Sequence, residues 1–316
     1  MKEKLQYFPI TMFAIIMGLS GLTMVFGKFY HMQWMPKLIY DSLLFFTFVL
    51  FLFFLFTYGR KAIKHFDEVK TDFNHRIRIN FFSAISISFL LLSIAFLTYW
   101  PLLSMVLWWV GVILHTFLMY HTIRFWIQHN FEIHVMNPAW FIPVVGNILV
   151  PVSGVEYMPK AFSFIYFAIG FFFWIILFAI FFNRVIFHHQ LAQKFLPTLF
   201  ILIAPPAVGF IAYIRIAQSW DTFAIFMLFI AYFFVVLLFF LYKSFYKLRF
   251  FISWWAFTFP LMAITLASVV AYQVSAINSY RYLSFVFFSI ALFTVLFVTW
   301  KTIGKIREGE ICVNED

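Results

Sequence analysis

Runs of about twenty predominantly apolar residues, the length that crosses a bilayer's hydrocarbon core as a helix, recur ten times along this chain with short polar intervals between them. They cover approximately residues 7–27, 38–59, 79–98, 101–124, 140–155, 161–182, 196–216, 221–242, 251–276 and 281–300. No soluble domain fits between them. The longest polar interval, residues 60–80, reads as a helix extension and a turn. The expectation is one all-α integral membrane domain over residues 1–316, with short tails.

Composition agrees. At 65% hydrophobic and 11% charged, with 51 phenylalanines, the chain carries more apolar surface than a soluble core of 316 residues can hide. The first run, preceded by Lys2 and Lys4, resembles a signal peptide, but it lacks a small-residue cleavage site and is kept as a span. The single cysteine, Cys312, excludes an internal disulfide. A net charge of +10 would suggest nucleic acid in a soluble protein; here the cations flank apolar runs, so a bilayer is the partner and nucleic acid is not. Most of them lie on one side: Lys2 and Lys4, the Arg60–Arg78 interval, Arg124, Arg184 and Lys194, Lys243 to Arg249, and Lys301 to Arg307. Lys28, Lys37, Lys160, Arg215 and Arg281 lie on the other. The positive-inside rule places both termini in the cytoplasm.

A second alternation bears on function. Even-numbered spans are dominated by phenylalanine and leucine, as in Gly170-Phe171-Phe172-Phe173-Trp174. Odd-numbered spans collect small, hydroxyl and helix-bending residues: Gly18, Ser20 and Gly21 in the first, Ser83 to Ser93 with Ser86 in the third, and Pro143, Gly146 and Asn147 in the fifth. The seventh has Pro205, Pro206 and nearby Phe210, and the ninth has Thr258, Pro260 and Ala263. Lipid accepts Phe and Leu on every helix face, whereas freed carbonyls and clustered hydroxyls belong where protein or water covers them. Tight helix packing explains small residues in any one span; their recurrence in all five points to inner helices around a lumen.

Chemistry is sparse within the spans. His115 and His121 are the ionisable exceptions, and both lie on an even-numbered span. The adjacent His188 and His189 point in different directions on a helix and cannot share a metal. No phosphate loop, nucleophile–base pair or cysteine cluster is present, so neither an enzyme nor a cofactor is expected. What remains is a pathway of hydroxyls, backbone and aromatic groups without fixed charge. Such a pathway favours ions that dehydrate cheaply and closes at a hydrophobic constriction. Cytoplasmic cations bias it toward anions, as would helix N-termini left at Pro143, Pro205-Pro206 and Pro260.

These residues resemble the TehA-type tellurite-resistance and plant slow-anion-channel family, which includes fungal malate permeases. The likeness is carried by Phe13-Ala14-Ile15-Ile16-Met17-Gly18-Leu19, Asn137-Pro138-Ala139-Trp140-Phe141-Ile142-Pro143, Ile203-Ala204-Pro205-Pro206-Ala207 and, most specifically, Trp254-Trp255-Ala256-Phe257-Thr258-Phe259-Pro260. The resemblance implies five helical hairpins with quasi-fivefold symmetry around a pore, assembly as a homotrimer, and a phenylalanine on the ninth helix that plugs the pore. The pattern W-x-[FY]-x-F-[PG] puts that role on Phe259, with Phe13 and Phe210 as further candidates for sharing it. Ile16 and Ser86 stand where the family often has proline. The long termini of the plant channels have no counterpart here, so control by kinases through them is not expected.

The leading expectation is therefore a bacterial plasma-membrane channel for small monovalent inorganic anions such as chloride or nitrate. A carrier for C4-dicarboxylates such as malate, or a tellurite-resistance exporter, is the alternative on the same fold. A membrane anchor binding haem or quinone is the alternative from another class.

Overall fold

A computed structural model gives the fold and describes residues 2–313. Among these the chain is helical, without a strand. Among the described residues nine helices are long and apolar enough to cross a membrane, and a shorter apolar stretch falls between the fourth and fifth of them. In chain order the ten are α1 (Ile10–His31), α2 (Lys37–Lys64), α3 (Arg78–Phe96), α4 (Pro101–Gln128), α5 (Pro138–Gly154), α6 (Lys160–Phe187), α7 (Gln193–Ala217), α8 (Thr222–Phe240), α9 (Ile252–Ser275) and α10 (Asn278–Arg307).

Odd and even helices differ in kind. Each even one is a single α-helix from end to end. Every odd one begins in 3-10 geometry, at Ile10–Met12, Arg78–Phe81, Pro138–Trp140, Gln193–Ile203 and Ile252–Phe257. α5 has a second 3-10 stretch at Gly146–Leu149. Because a 3-10 helix rises about 2.0 Å per residue against 1.5 Å in an α-helix, this short element still reaches on the order of 30 Å, the thickness of the hydrocarbon core.

The prolines sit where 3-10 gives way to α. Pro205 and Pro206 are in the first turn of Ala204–Ala217, Pro260 in that of Thr258–Ser275, and Pro143 in that of Phe141–Val145. In a first turn the missing N–H costs little and the fixed φ suits the helix. The expected bare helix ends are therefore corrected. The Ala204 N–H is bonded to the Ile201 carbonyl, Thr258 to Trp255 and Phe141 to Pro138, so these donors are engaged rather than offered to an ion.

Burial follows the same alternation. In the most apolar part of α1, α3, α7 and α9 the buried share is 83, 78, 72 and 78%, and α5 is buried almost throughout. In α2, α4, α6, α8 and α10 it is 28 to 44%, with Phe45, Phe172, Phe233 and Phe293 among the exposed side chains. Each odd helix packs on the even helix that follows it, and α1, α3, α5, α7 and α9 contact one another in a closed ring.

Hydroxyls join the two layers. Thr23 on α1 meets Thr47 on α2 at 3.2 Å, Ser93 on α3 meets Ser104 on α4 at 3.2 Å, and Ser268 on α9 meets Tyr232 on α8 at 2.9 Å. Others cap carbonyls of their own helix, as Ser88 does at Ala84 and Thr265 at Leu261. At one end of the bundle a buried ion cluster ties α2 to the start of α3. Lys61 Nζ lies 2.9 Å from Asp72 Oδ2 and donates to the Phe8 carbonyl, while Arg78 Nη1 lies 3.0 Å from Asp72 Oδ1.

Candidate functional site

The inner ring encloses two cavities, each walled by all five odd helices. The first, about 90 Å³, lies toward their 3-10 starts and is lined by Ala14 and Met17 of α1, Ala84 and Ile87 of α3, Val145 and Gly146 of α5, Pro205 of α7, and Pro260 of α9, among others. None of its lining side chains carries a hydroxyl, amide or charge. The second, about 660 Å³, lies toward the other ends and includes Ala263, Lys28, His31, Thr98, Arg215, Gln218 and Gln273.

Three residues belong to the walls of both cavities: Leu149 of α5, Val208 of α7 and Phe259 of α9. Phe259 is 7% exposed. The space for its ring is made across the helix contact by Gly21: a Cβ there would lie 3.3 Å from Phe259 Cδ2 and 2.9 Å from Met262 Cβ. No other aromatic ring clamps Phe259 among the described residues.

The remaining sequence-named residues divide. Gly146, Pro205, Pro260 and Ala263 line one cavity or the other. Phe13 does not; it is fully buried against Phe51, Phe54 and Tyr58 of α2, on the outer side of α1. Phe210 is buried against Trp220, and Gly18 is covered by Thr258, whose hydroxyl donates to the Trp255 carbonyl. Pro143 and Pro206 are buried outside both cavities. The Asn147 amide donates to the Val144 carbonyl at 2.7 Å.

Ser86 faces α4. Its hydroxyl hydrogen is committed to the Ser83 carbonyl at 2.9 Å, so at the 2.8 Å contact with His115 it is Nδ1–H that donates. The Nε2 of His115 has no hydrogen-bond partner among the described residues and rests against Gly146.

Two sequence expectations are thereby overturned. The hydroxyls do not line the narrow part of the pathway, because in an apolar surrounding they are drawn to carbonyls and to one another. Nor is the pathway free of fixed charge, since Lys28 and Arg215 line the larger cavity.

A family model described as "Voltage-dependent anion channel" matches residues 7–303. The chain belongs to the voltage-dependent anion channel family. An uncharacterized transporter of Methanocaldococcus jannaschii is 26% identical over 343 residues, covering 98% of each chain. The S-type anion channel SLAH2 of Arabidopsis thaliana is 30% identical over 280 residues, which are 83% of this chain and 52% of the plant protein. The tellurite resistance protein TehA homolog of Haemophilus influenzae is 24% identical over 320 residues, 96% of this chain and 92% of that one. The resemblance read from the motifs is borne out, and the chain is a multi-pass membrane protein of the channel and transporter type.

Leu149 and Val208 were not foreseen, since leucine and valine in an apolar span carry no signal of their own. Gly21 was visible as a small residue of the first span, but not as the neighbour of Phe259.

Proposed function

We propose that this protein is an anion channel that passes small monovalent anions such as chloride and nitrate along the axis of its inner ring, with Phe259 as the gate. One observation carries the reading. A single aromatic side chain is part of the wall of both cavities, so moving its ring aside joins them. An anion crossing the first cavity finds no group to replace its water, which favours ions that shed water cheaply. Lys28 and Arg215 bias the larger cavity toward negative charge. The cation distribution supports cytoplasmic termini in a plasma membrane, and the exposed phenylalanine faces of the even helices are suited to lipid and to contacts within a homotrimer with one pore per protomer.

The test is current across a planar bilayer in asymmetric salts. Phe259→Ala should raise anion current on the order of tenfold or more, the effect of removing about 1.4 kcal/mol of barrier. Phe172→Ala, at a side chain 60% exposed on the outer layer, should leave it unchanged. An alanine variant no more conductive than the parent removes the gate. Saturable, proton-linked uptake of a dicarboxylate at carrier rates would replace the channel with the alternative on this fold.

A further inference from the structure

We propose that the larger cavity contains a binding site for a small inorganic anion, bridged between Lys28 of α1 and Arg215 of α7, on the approach to Phe259. The proposal rests on reading that cavity as part of an anion pathway, and adds to it a place where the ion halts. Both cations line the same 660 Å³ space. Like charges that share a space bounded by low-dielectric walls repel each other. The two are not equivalent. Arg215 is held in place: its Nε donates to the Val152 carbonyl at 3.0 Å and its Nη2 meets Glu156 Oε1 at 2.6 Å. Glu156 offsets that charge only in part, from an exposed position. Lys28 is half-buried, and among the described residues no carboxylate stands within ion-pair distance of it.

The cluster therefore keeps one cation's worth of uncompensated charge, with its flexible member free to reach into the cavity. An anion between the ammonium and the guanidinium satisfies both and removes their mutual repulsion. Gln218, Ser219 and Gln273, which also line this cavity, supply neutral hydrogen-bonding groups that suit an oxyanion such as nitrate.

The experiment is thermal unfolding of the purified full-length protein in detergent, with sodium nitrate replacing sodium gluconate at constant ionic strength. Mass action predicts a rise in Tm of about 2–5 °C between 1 and 100 mM nitrate for a site of millimolar affinity. Lys28→Gln should abolish the nitrate-dependent rise and Lys28→Arg should keep it. Lys160→Gln, which removes an exposed cation outside the cavity, should behave as the parent. Arg215→Gln loses a structural bond as well, so its comparison is the nitrate-dependent increment rather than the starting Tm. An equal nitrate increment in the parent and in Lys28→Gln overturns the site, as does no increment in the parent. Phe259→Ala should retain the increment. A retained increment in a protein that passes no anion current would refute the channel and leave the site standing.

Discussion

Phe259 owes its position to a side chain that Gly21 does not have. Gly21→Ala places a Cβ 2.9 Å from Met262 Cβ and 3.3 Å from the Phe259 ring, so α1 and α9 must part or the ring must move. Overpacking of this kind costs about 1–3 kcal/mol. The expected outcome is a lower Tm together with an altered leak current, whereas Gly59→Ala, with nothing within 4 Å, should change neither. Another residue-scale cost lies at Ala276, which ends α9 in the left-handed region at φ 58°. Ala276→Gly relieves that conformation and should stabilise the protein by about 1 kcal/mol in a detergent melt. At this scale the sequence was only partly legible. The motif singled out Phe259 from 51 phenylalanines, and the helix-bending pattern found Gly146, Pro205 and Pro260. Ser86, Asn147 and Thr258 are spent on carbonyls and neighbouring helices, because burial in an apolar wall makes an unpaired hydroxyl or amide costly.

At the scale of elements, the inner and outer layers were legible because proline, glycine and hydroxyl residues recur only where protein covers the backbone. The 3-10 starts of all five odd helices were not, since no residue type marks them; Gln193–Ile203 carries a proline, while Ile10–Met12 and Ile252–Phe257 have none. What holds these starts in place includes the Lys61–Asp72–Arg78 cluster, which lies beside the first of them through the Phe8 carbonyl. Lys61 is 2% exposed, so Asp72→Ala strands a buried ammonium. Breaking such a pair costs about 3–5 kcal/mol. A marked fall in Tm is expected, and Lys61→Met combined with Asp72→Ala should recover part of it, because the double variant no longer strands the Lys61 ammonium. A double variant as unstable as Asp72→Ala alone would show that the ion pair does not hold this end.

Across the whole molecule the two cavities differ in wetness as well as size. A space of about 90 Å³ with an almost entirely apolar wall offers water few partners. Removing the Phe259 side chain leaves that wall in place, so the alanine variant still has a dry stretch to cross. Val145→Thr added to Phe259→Ala introduces one hydroxyl into the lining and should raise anion current above that of the single variant. Equal currents in the two would mean that the cavity is already hydrated. The count of cations pointed to the end where the odd helices start, whereas the charged cavity lies toward their other ends. That Lys28 and Arg215 converge on one cavity was not legible, because they are far apart in sequence and meet only when the ring closes.

The side chains shared by the two cavities, with the dry cavity behind them, also decide where the membrane's electric field falls. A spacious, ionisable compartment conducts well and sustains little voltage, so the drop falls across Leu149, Val208 and Phe259 together with the dry cavity behind them. In the proposed channel, an anion held beside Lys28 has spent almost none of the roughly 2.3 kcal/mol that 100 mV supplies per charge. It spends it in passing the ring and the dry space behind it.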